Sequence, residues 1–594
     1  MRPARAEHAV AAPPAAPRAL VTLAALAVLL AAADAYVVVL ALPDIMAGVG
    51  LDLTELQRAA PIVSAFLLGY VACLPLIGRL SDLYGRTPVL VGALAVFAVG
   101  SLFTASAHGL GVVVAGRALQ GVGGGGLVPV TLALVADRWP AERRGIPLGA
   151  VGAAQEAGSV LGPLYGGAVL AVTSWRAIFW VNLAGAVLLG LLLLGVSAAG
   201  QPAEQPAGSP ARSGHRPRLS VRPLPGLLGA LALTALLLLV TAPTALTTSV
   251  RLGAAYVPLR AGAGWSSPLF LATAGLVAGW LAAVARPATL RRLVAAADVP
   301  GAVLLGLGLA GLVLAFAGAD PARGAVSDQA PVLLAATAVC LAVFVVRQRR
   351  ADHPLVPGAA VRPVAAWGSL AVNMFVGAAL VAALVDIPIF ARVTRYPGSQ
   401  LGAALVLVEL LAALPVGALL GGVLCHRLTP RWIASAGMAL STAGFAVMTS
   451  WQPDALNGPR STVTLVLTGL GFGLAIAPVN AALLAATEAG VHGVASALAV
   501  VARTVGMLVG LSVLTAVGLR IFYAEQRRIA SPLTLCPTTP ADCPAYRAAT
   551  KAAVLAELHA TFWGAAICAA VAAALAAVLL RPPGRSGQSG AGQG

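Results

Sequence analysis

The chain has 594 residues, 59% of them hydrophobic and only 10% charged, against roughly a quarter charged in a soluble domain. Glycine (66) and proline (41) are abundant but sit inside apolar runs without a three-residue period, which excludes collagen-like and disordered chains. The net charge of +17 comes from 38 basic residues, Lys551 being the one lysine, gathered in short stretches between apolar runs; this placement sets membrane topology and is not a nucleic-acid footprint.

Residues 1–18 read as a cytoplasmic tail, and the apolar run 19–43 that follows is too long for a cleavable signal peptide and carries Asp34. Further spans are predicted at 58–77, 88–107, 110–136, 146–171 and 177–197, making 19–199 an N-terminal six-helix half. A Pro/Gly/Ser/Arg-rich stretch, 200–225, reads as a cytoplasmic linker. Residues 226–350 hold four inserted linker helices, at 226–246, 266–285, 300–318 and 331–346. The C-terminal half, 351–585, has spans at 367–390, 400–424, 432–450, 461–485, 493–519 and 556–580, with an extracytoplasmic loop at 520–555 and a tail at 586–594.

The expected fold is an all-α polytopic membrane protein with sixteen spans. Fourteen is the alternative, because Arg251 and Arg260 separate the weakest pair of spans. Counting sides in alternation puts 23 of the 38 basic residues on the side of the N-terminus, so both termini are expected in the cytoplasm.

Asp34, Glu156 and Arg503 lie within predicted spans, where a charge costs several kcal/mol unless it faces protein or a wet cavity. Arginine cannot readily discard its charge, so Arg503 needs a counter-ion, and Asp34 and Glu156 are the candidates. A proton on either acid would then shift a two-state equilibrium; a purely structural carboxylate is the competing reading. Arg117 either attracts protons or shapes the cavity, or serves as a structural hydrogen-bond donor, and Glu409 and Asp386 are secondary candidates in the other half.

Between spans two and three, Gly78 and Gly85 permit a tight reversal, Asp82 can meet a helix N-terminus and Arg86 can pair with Asp137. Such a cluster would latch one conformation shut. A weaker echo around His426–Arg431 points to an internal repeat of two halves. Along the fifth span Gly149, Gly158, Gly162, Gly166 and Gly167 allow close helix approach, and Pro163 invites a bend. Seven histidines without a metal-like or catalytic grouping, and no Walker loop, argue against a membrane acyltransferase and against direct ATP drive. A scaffold, for which the buried charges would be dispensable, is the third class.

These residues resemble the major facilitator superfamily. Gly78–Arg86 looks like its signature loop, Arg117–Gly125 its fourth-helix motif, and the fifth-helix glycines with Pro163 the motif of its drug:proton antiporter branch, which has fourteen helices. A narrower match, in Gln155–Gly166 and Val501–Met507, is to mycobacterial triacylglyceride exporters that work with a periplasmic lipoprotein. The resemblance implies a monomeric, multi-pass exporter of the bacterial inner membrane. It would move lipid outward by alternating access on the proton gradient, with Asp34, Glu156 and Arg503 coupling protons, no cofactor, no metal and no nucleic acid. Proton-driven efflux of amphipathic drugs is the alternative within the same machinery. The stretch from Arg520 fits an amphipathic helix continuing past the bilayer to guide an apolar cargo or dock a partner, and Cys536 and Cys543, outside in this topology, are expected to form a disulfide.

Overall fold

The computed structural model describes residues 15–51, 56–199, 223–241, 243–257, 259, 267–284, 296–317, 329–397, 399–537, 539 and 542–581. The predicted linker up to residue 222 and the outer parts of both tails lie outside the described residues.

Among the described residues sixteen helices of 17 residues or more follow in order. The first six are α1 (Ala15–Gly48), α2 (Leu56–Tyr84), α3 (Arg86–Ala105), α4 (Leu110–Arg138), α5 (Gly145–Val172) and α6 (Trp175–Ala199). Four linker helices come next: α7 (Pro223–Thr241), α8 (Pro268–Val284), α9 (Val299–Ala317) and α10 (Ala330–Arg350). The last six are α11 (Val364–Thr394), α12 (Gln400–Leu424), α13 (Pro430–Met448), α14 (Pro459–Ala486), α15 (His492–Gln526) and α16 (Pro544–Leu579). Among the described residues eleven segments are long and apolar enough to cross a membrane, and α7, α8 and α9 contain shorter apolar helices. In α5, outside that group, glycines and the Gln155–Glu156 pair dilute the apolar character.

Two boundaries differ from expectation for physical reasons. Helix α7 stops at Thr241, and a separate short turn, Thr244–Thr247, starts after Pro243, whose ring cannot continue a helix. Within the loop expected at 520–555, α15 continues to Gln526, the helical continuation read from Arg520, and the difference is that α16 begins at Pro544, ahead of the span expected from 556. Residues 545–557 hold six alanines, a strong helix former, while Arg547, Lys551 and Glu557 make the stretch too polar to be read from hydropathy as a membrane span. At 35 and 36 residues, α15 and α16 are each on the order of 50 Å long at 1.5 Å per residue, well beyond a hydrocarbon core of about 30 Å. In the segment that connects them, Cys536 and Cys543, the residue capping α16, form a disulfide with Cα atoms 5.6 Å apart.

The packing repeats itself ten helices on. In the first half α2 and α3 pack on α4, α1 on α5 and α3 on α6; in the second α12 and α13 pack on α14, α11 on α15 and α13 on α16. The halves meet through α5 against α12 and α2 against α15, again a related pair. Helices α9 and α10 pack on each other, with α9 also on α2 and α15, while α7 and α8 pair together. Asp298 fastens one end of this insertion, accepting from Arg347 Nε at 2.7 Å and from the backbone N–H of Leu355 at 3.2 Å.

The glycine stripe of α5 serves this packing. Gly158 and Gly162 lie against the α1 backbone at Leu29 and Ala33, with no room for a Cβ. Replacing Gly162 by Leu should therefore cost about 1–3 kcal/mol through overpacking and lower the unfolding midpoint of purified protein. Gly92→Ala, where an added Cβ meets nothing within 4 Å, should leave that midpoint in place.

Candidate functional site

Asp34, at 0% exposure, sits at the meeting point of the N-terminal half. A buried carboxylate survives only with its lone pairs occupied and its charge countered. Arg117 Nη1 donates to Asp34 Oδ2 at 2.6 Å, while Asn182 Nδ2 and Gln120 Nε2 donate to Oδ1 at 2.6 and 3.3 Å. Gln120 also donates to Ser101 Oγ at 2.9 Å, and the Tyr165 hydroxyl donates to Asn182 Oδ1 at 3.1 Å. The Arg117 guanidinium lies 4.4 Å from the centre of the Phe66 ring, a cation–π contact. Each of α1 to α6 contributes one or more members, so the cluster ties that half into a unit.

Glu156 and Arg503 do something different, because they belong to different halves. Arg503 Nη1 of α15 lies 2.8 Å from Glu156 Oε1 of α5, both side chains largely buried. Tyr36 of α1 and Tyr70 of α2 stand within electrostatic reach of this pair. Of the two acids offered to Arg503 by the sequence, Glu156 takes it; Asp34 is engaged by Arg117.

The third cluster closes one end of the molecule. Asp82, at the end of α2, accepts from the backbone N–H groups of Gly493 and Val494 at 2.8 and 3.1 Å. These are unpaired donors of the first turn of α15, where the helix dipole favours an anion. Arg86 holds Asp82 in place from Nη1 at 2.5 Å and reaches Asp137 Oδ2 from Nε at 2.8 Å. Gly85 makes the reversal between α2 and α3 at φ 92°, a conformation that favours glycine. Gly78 packs against the backbone of Gly493. On the other seam Gly149 faces Ala418 and Gly422 of α12. Arg144 adds a tie between halves, donating to the carbonyls of Ala136 at 2.7 Å and Leu484 at 3.2 Å.

Other predicted residues lie apart from these clusters. Pro163 stands inside α5, Gly166 faces Val37 and Gly167 the Leu40 side chain. Asp386 of α11 is buried against Thr561 of α16, near Glu557, and Glu409 lines a cavity between α11, α12 and α14. The echo at Arg427 and Arg431 forms no ion pair among the described residues; Arg431 stacks on Trp432, 4.3 Å from the ring centre. Sequence reasoning passed over Gln120, Asn182, Tyr36, Tyr70 and Arg144. The available signal for the first two was an amide inside an apolar run, which must find a hydrogen-bond partner in a membrane.

The fold and these buried pairs define a multi-pass membrane transporter built from two related halves. The chain belongs to the Major Facilitator Superfamily, whose pattern matches residues 24–320. It is homologous to mycobacterial proteins described as triacylglyceride transporters. It is 35% identical to that of Mycobacteroides abscessus over 510 residues, 84% of this chain and 82% of the relative. To the one from Mycolicibacterium hassiacum it is 34% identical over 530 residues, 87% of this chain and 82% of the relative. In fold it is similar to the human organic anion transporter MFSD10, with a TM-score of 0.52, 16% identity and coverage of 94% and 99%. The proton:xylose symporter XylE gives 0.50, with 14% identity and coverage of 94% of each chain.

Removing one partner of a buried pair leaves an uncompensated charge, at a cost of about 3–5 kcal/mol. Arg117→Met should therefore unfold the protein at markedly lower temperature, and adding Asp34→Asn should recover a substantial part of that loss in a double-mutant thermal series. Asp82→Asn removes the negative charge and one of the two oxygens that accept from the α15 N-terminus, and should favour the latch-open state by about 1–3 kcal/mol. Distances between spin labels placed at the exposed Leu83 and Leu428 should lengthen accordingly.

Proposed function

We propose that this protein is a proton-coupled secondary exporter that moves triacylglycerides or related lipids out of the inner membrane by alternating access. The observation that carries this reading is the Glu156–Arg503 pair, which joins the two halves well away from the latch. A proton on Glu156 removes the negative partner, whereas Arg503 keeps its charge and must find new acceptors. The Coulombic tie between halves is thereby exchanged for a different set of contacts, and the balance between two shapes shifts. Asp34 is the second coupling acid: its protonation loosens the hold of Arg117 on the centre of the N-terminal half.

The distribution of arginines supports sixteen crossings with both termini cytoplasmic, which makes the Asp82 latch cytoplasmic and its closed state outward-facing. The glycines and Pro163 of α5 support placement in the drug:proton antiporter branch. Lipid as cargo is supported by the homologous triacylglyceride transporters. The projecting α15–α16 hairpin, with Leu533 69% and Leu535 40% exposed, is the surface we assign to a periplasmic lipoprotein that receives the lipid. The monomer is the working unit.

The test is flux of labelled triacylglyceride in proteoliposomes under an imposed pH gradient. Glu156→Gln should lower the gradient-driven rate by at least about tenfold, equivalent to about 1.4 kcal/mol, and abolish its response to the gradient; Asp34→Asn should act in the same direction. Wild-type flux indifferent to the gradient would overturn the coupling. Transport of soluble amphipathic dyes without transport of lipid would replace the cargo.

A further inference from the structure

At the end of the C-terminal half opposite Asp82, a cavity of about 190 Å³ opens between α11, α12 and α14. Its lining includes Arg395, Tyr396, Glu409, Asn457 and Ser461. Glu409 belongs to Gly402–Leu424, a segment long and apolar enough to cross a membrane. It stands nine residues into α12, roughly 13 Å along the axis. Its neighbours Val406 and Leu410 are buried, and Glu409 itself is partly buried. Among the described residues it has no hydrogen-bond or ion-pair partner. Asp34, Asp82, Asp137 and Glu156 all have one, as does Asp386. A carboxylate so placed is costly unless something supplies the counter-charge.

The cation nearest to hand does not. Arg395, one residue beyond α11, turns its Nη1 to the carbonyl of Leu456 and lies over the Tyr396 ring, 5.3 Å from its centre. Among the described residues it forms no ion pair with Glu409 or any other acid. The Ser461 hydroxyl is turned aside as well, donating to the carbonyl of Gly458 at 3.0 Å. Glu409, nine residues inside α12, and Arg395, just past the end of α11, thus both line the cavity without pairing with each other. Two separated opposite charges facing one small cavity are complementary to a ligand that is itself a zwitterion of the same span, and they discriminate against a simple anion or cation, which would meet one like charge.

We propose that this cavity binds a zwitterion carrying an ammonium and a phosphate, with the ammonium on Glu409 and the phosphate on Arg395. The ammonium end enters first, since Glu409 is the deeper group. Arg395 presents several donors and can spare the remaining ones while it keeps Leu456. The same chemistry occurs in free phosphoethanolamine and in the headgroup of phosphatidylethanolamine. Occupancy would bridge the α11–α12 corner to the start of α14, away from the Glu156–Arg503 pair.

The experiment measures saturable binding of labelled phosphoethanolamine to the purified full-length protein, and of spin-labelled phosphatidylethanolamine to the protein in nanodiscs, each with phosphatidylglycerol or inorganic phosphate as the control lacking the ammonium. Binding of one or both zwitterions but of neither control is expected, weakened at least about tenfold in both Glu409→Gln and Arg395→Gln. Thermal unfolding midpoints check that the variants fold, and a variant that does not is replaced by Glu409→Asp or Arg395→Lys, expected to weaken binding less. Binding in only the nanodisc arm identifies a membrane lipid as the source, and in only the soluble arm a free metabolite. No saturable binding in either arm, equal binding of the controls, or affinity unchanged in both variants overturns the proposal.

Discussion

An ionised side chain inside a bilayer must bring its counter-charge with it, and the organisation of this protein follows from how that requirement is met. Asp34, Glu156, Arg117 and Arg503 are all held at membrane depth, and each is matched one to one. The two matches differ in kind. Asp34 and Arg117 close a circuit of polar groups drawn from five helices of one half, with the Phe66 ring of the sixth against the guanidinium, which ties that half together. Glu156 and Arg503 join two bodies, so the same type of interaction sits where the molecule must come apart. A strong contact within a half need not break in a transport cycle, whereas in the coupling we propose the one between halves is released when Glu156 takes up a proton.

The backbone accommodates these pairs through close approach of helices. Small residues let α5 lie against α1 along one face and against α12 along another, so that Glu156 on α5 is delivered to the interface while its helix stays anchored to its own half. The latch uses peptide dipoles instead of a second side-chain pair: Asp82 reads the exposed N–H groups of α15, and Arg86 bridges it to Asp137. Because the acceptor belongs to one half and the donors to the other, this contact reports directly on how far the halves have separated at that end.

Much of this was legible in the sequence. Apolar runs mark helices regardless of context, since backbone groups in a membrane have to be paired within the segment, and the helices stand close to where hydropathy places them. Isolated charges within such runs, Asp34, Glu156 and Arg503, announce themselves because they are expensive. Arg86 could be matched to Asp137 from their position at neighbouring helix ends. Which acid meets Arg503 could not be read, because that depends on how α15 is rotated against α5, a matter of three-dimensional packing. Asn182 and Gln120 were easy to overlook for a related reason: a neutral amide carries a smaller penalty than a charge, so its presence in an apolar run signals less. The start of α16 was misplaced because hydropathy detects membrane crossings, and the projecting turns of this helix are polar.

Helix α15 has a further property that its separate contacts do not convey. It is one unbroken rod whose first turn is gripped by Asp82, whose middle carries Arg503 and whose far end leads into the disulfide-closed tip. With the fulcrum near one end, a tilt of only about 10° over roughly 50 Å would swing the opposite end by about 9 Å. Whatever rests on that tip would feel the gripping or letting go of a carboxylate on the other face of the membrane, by leverage alone.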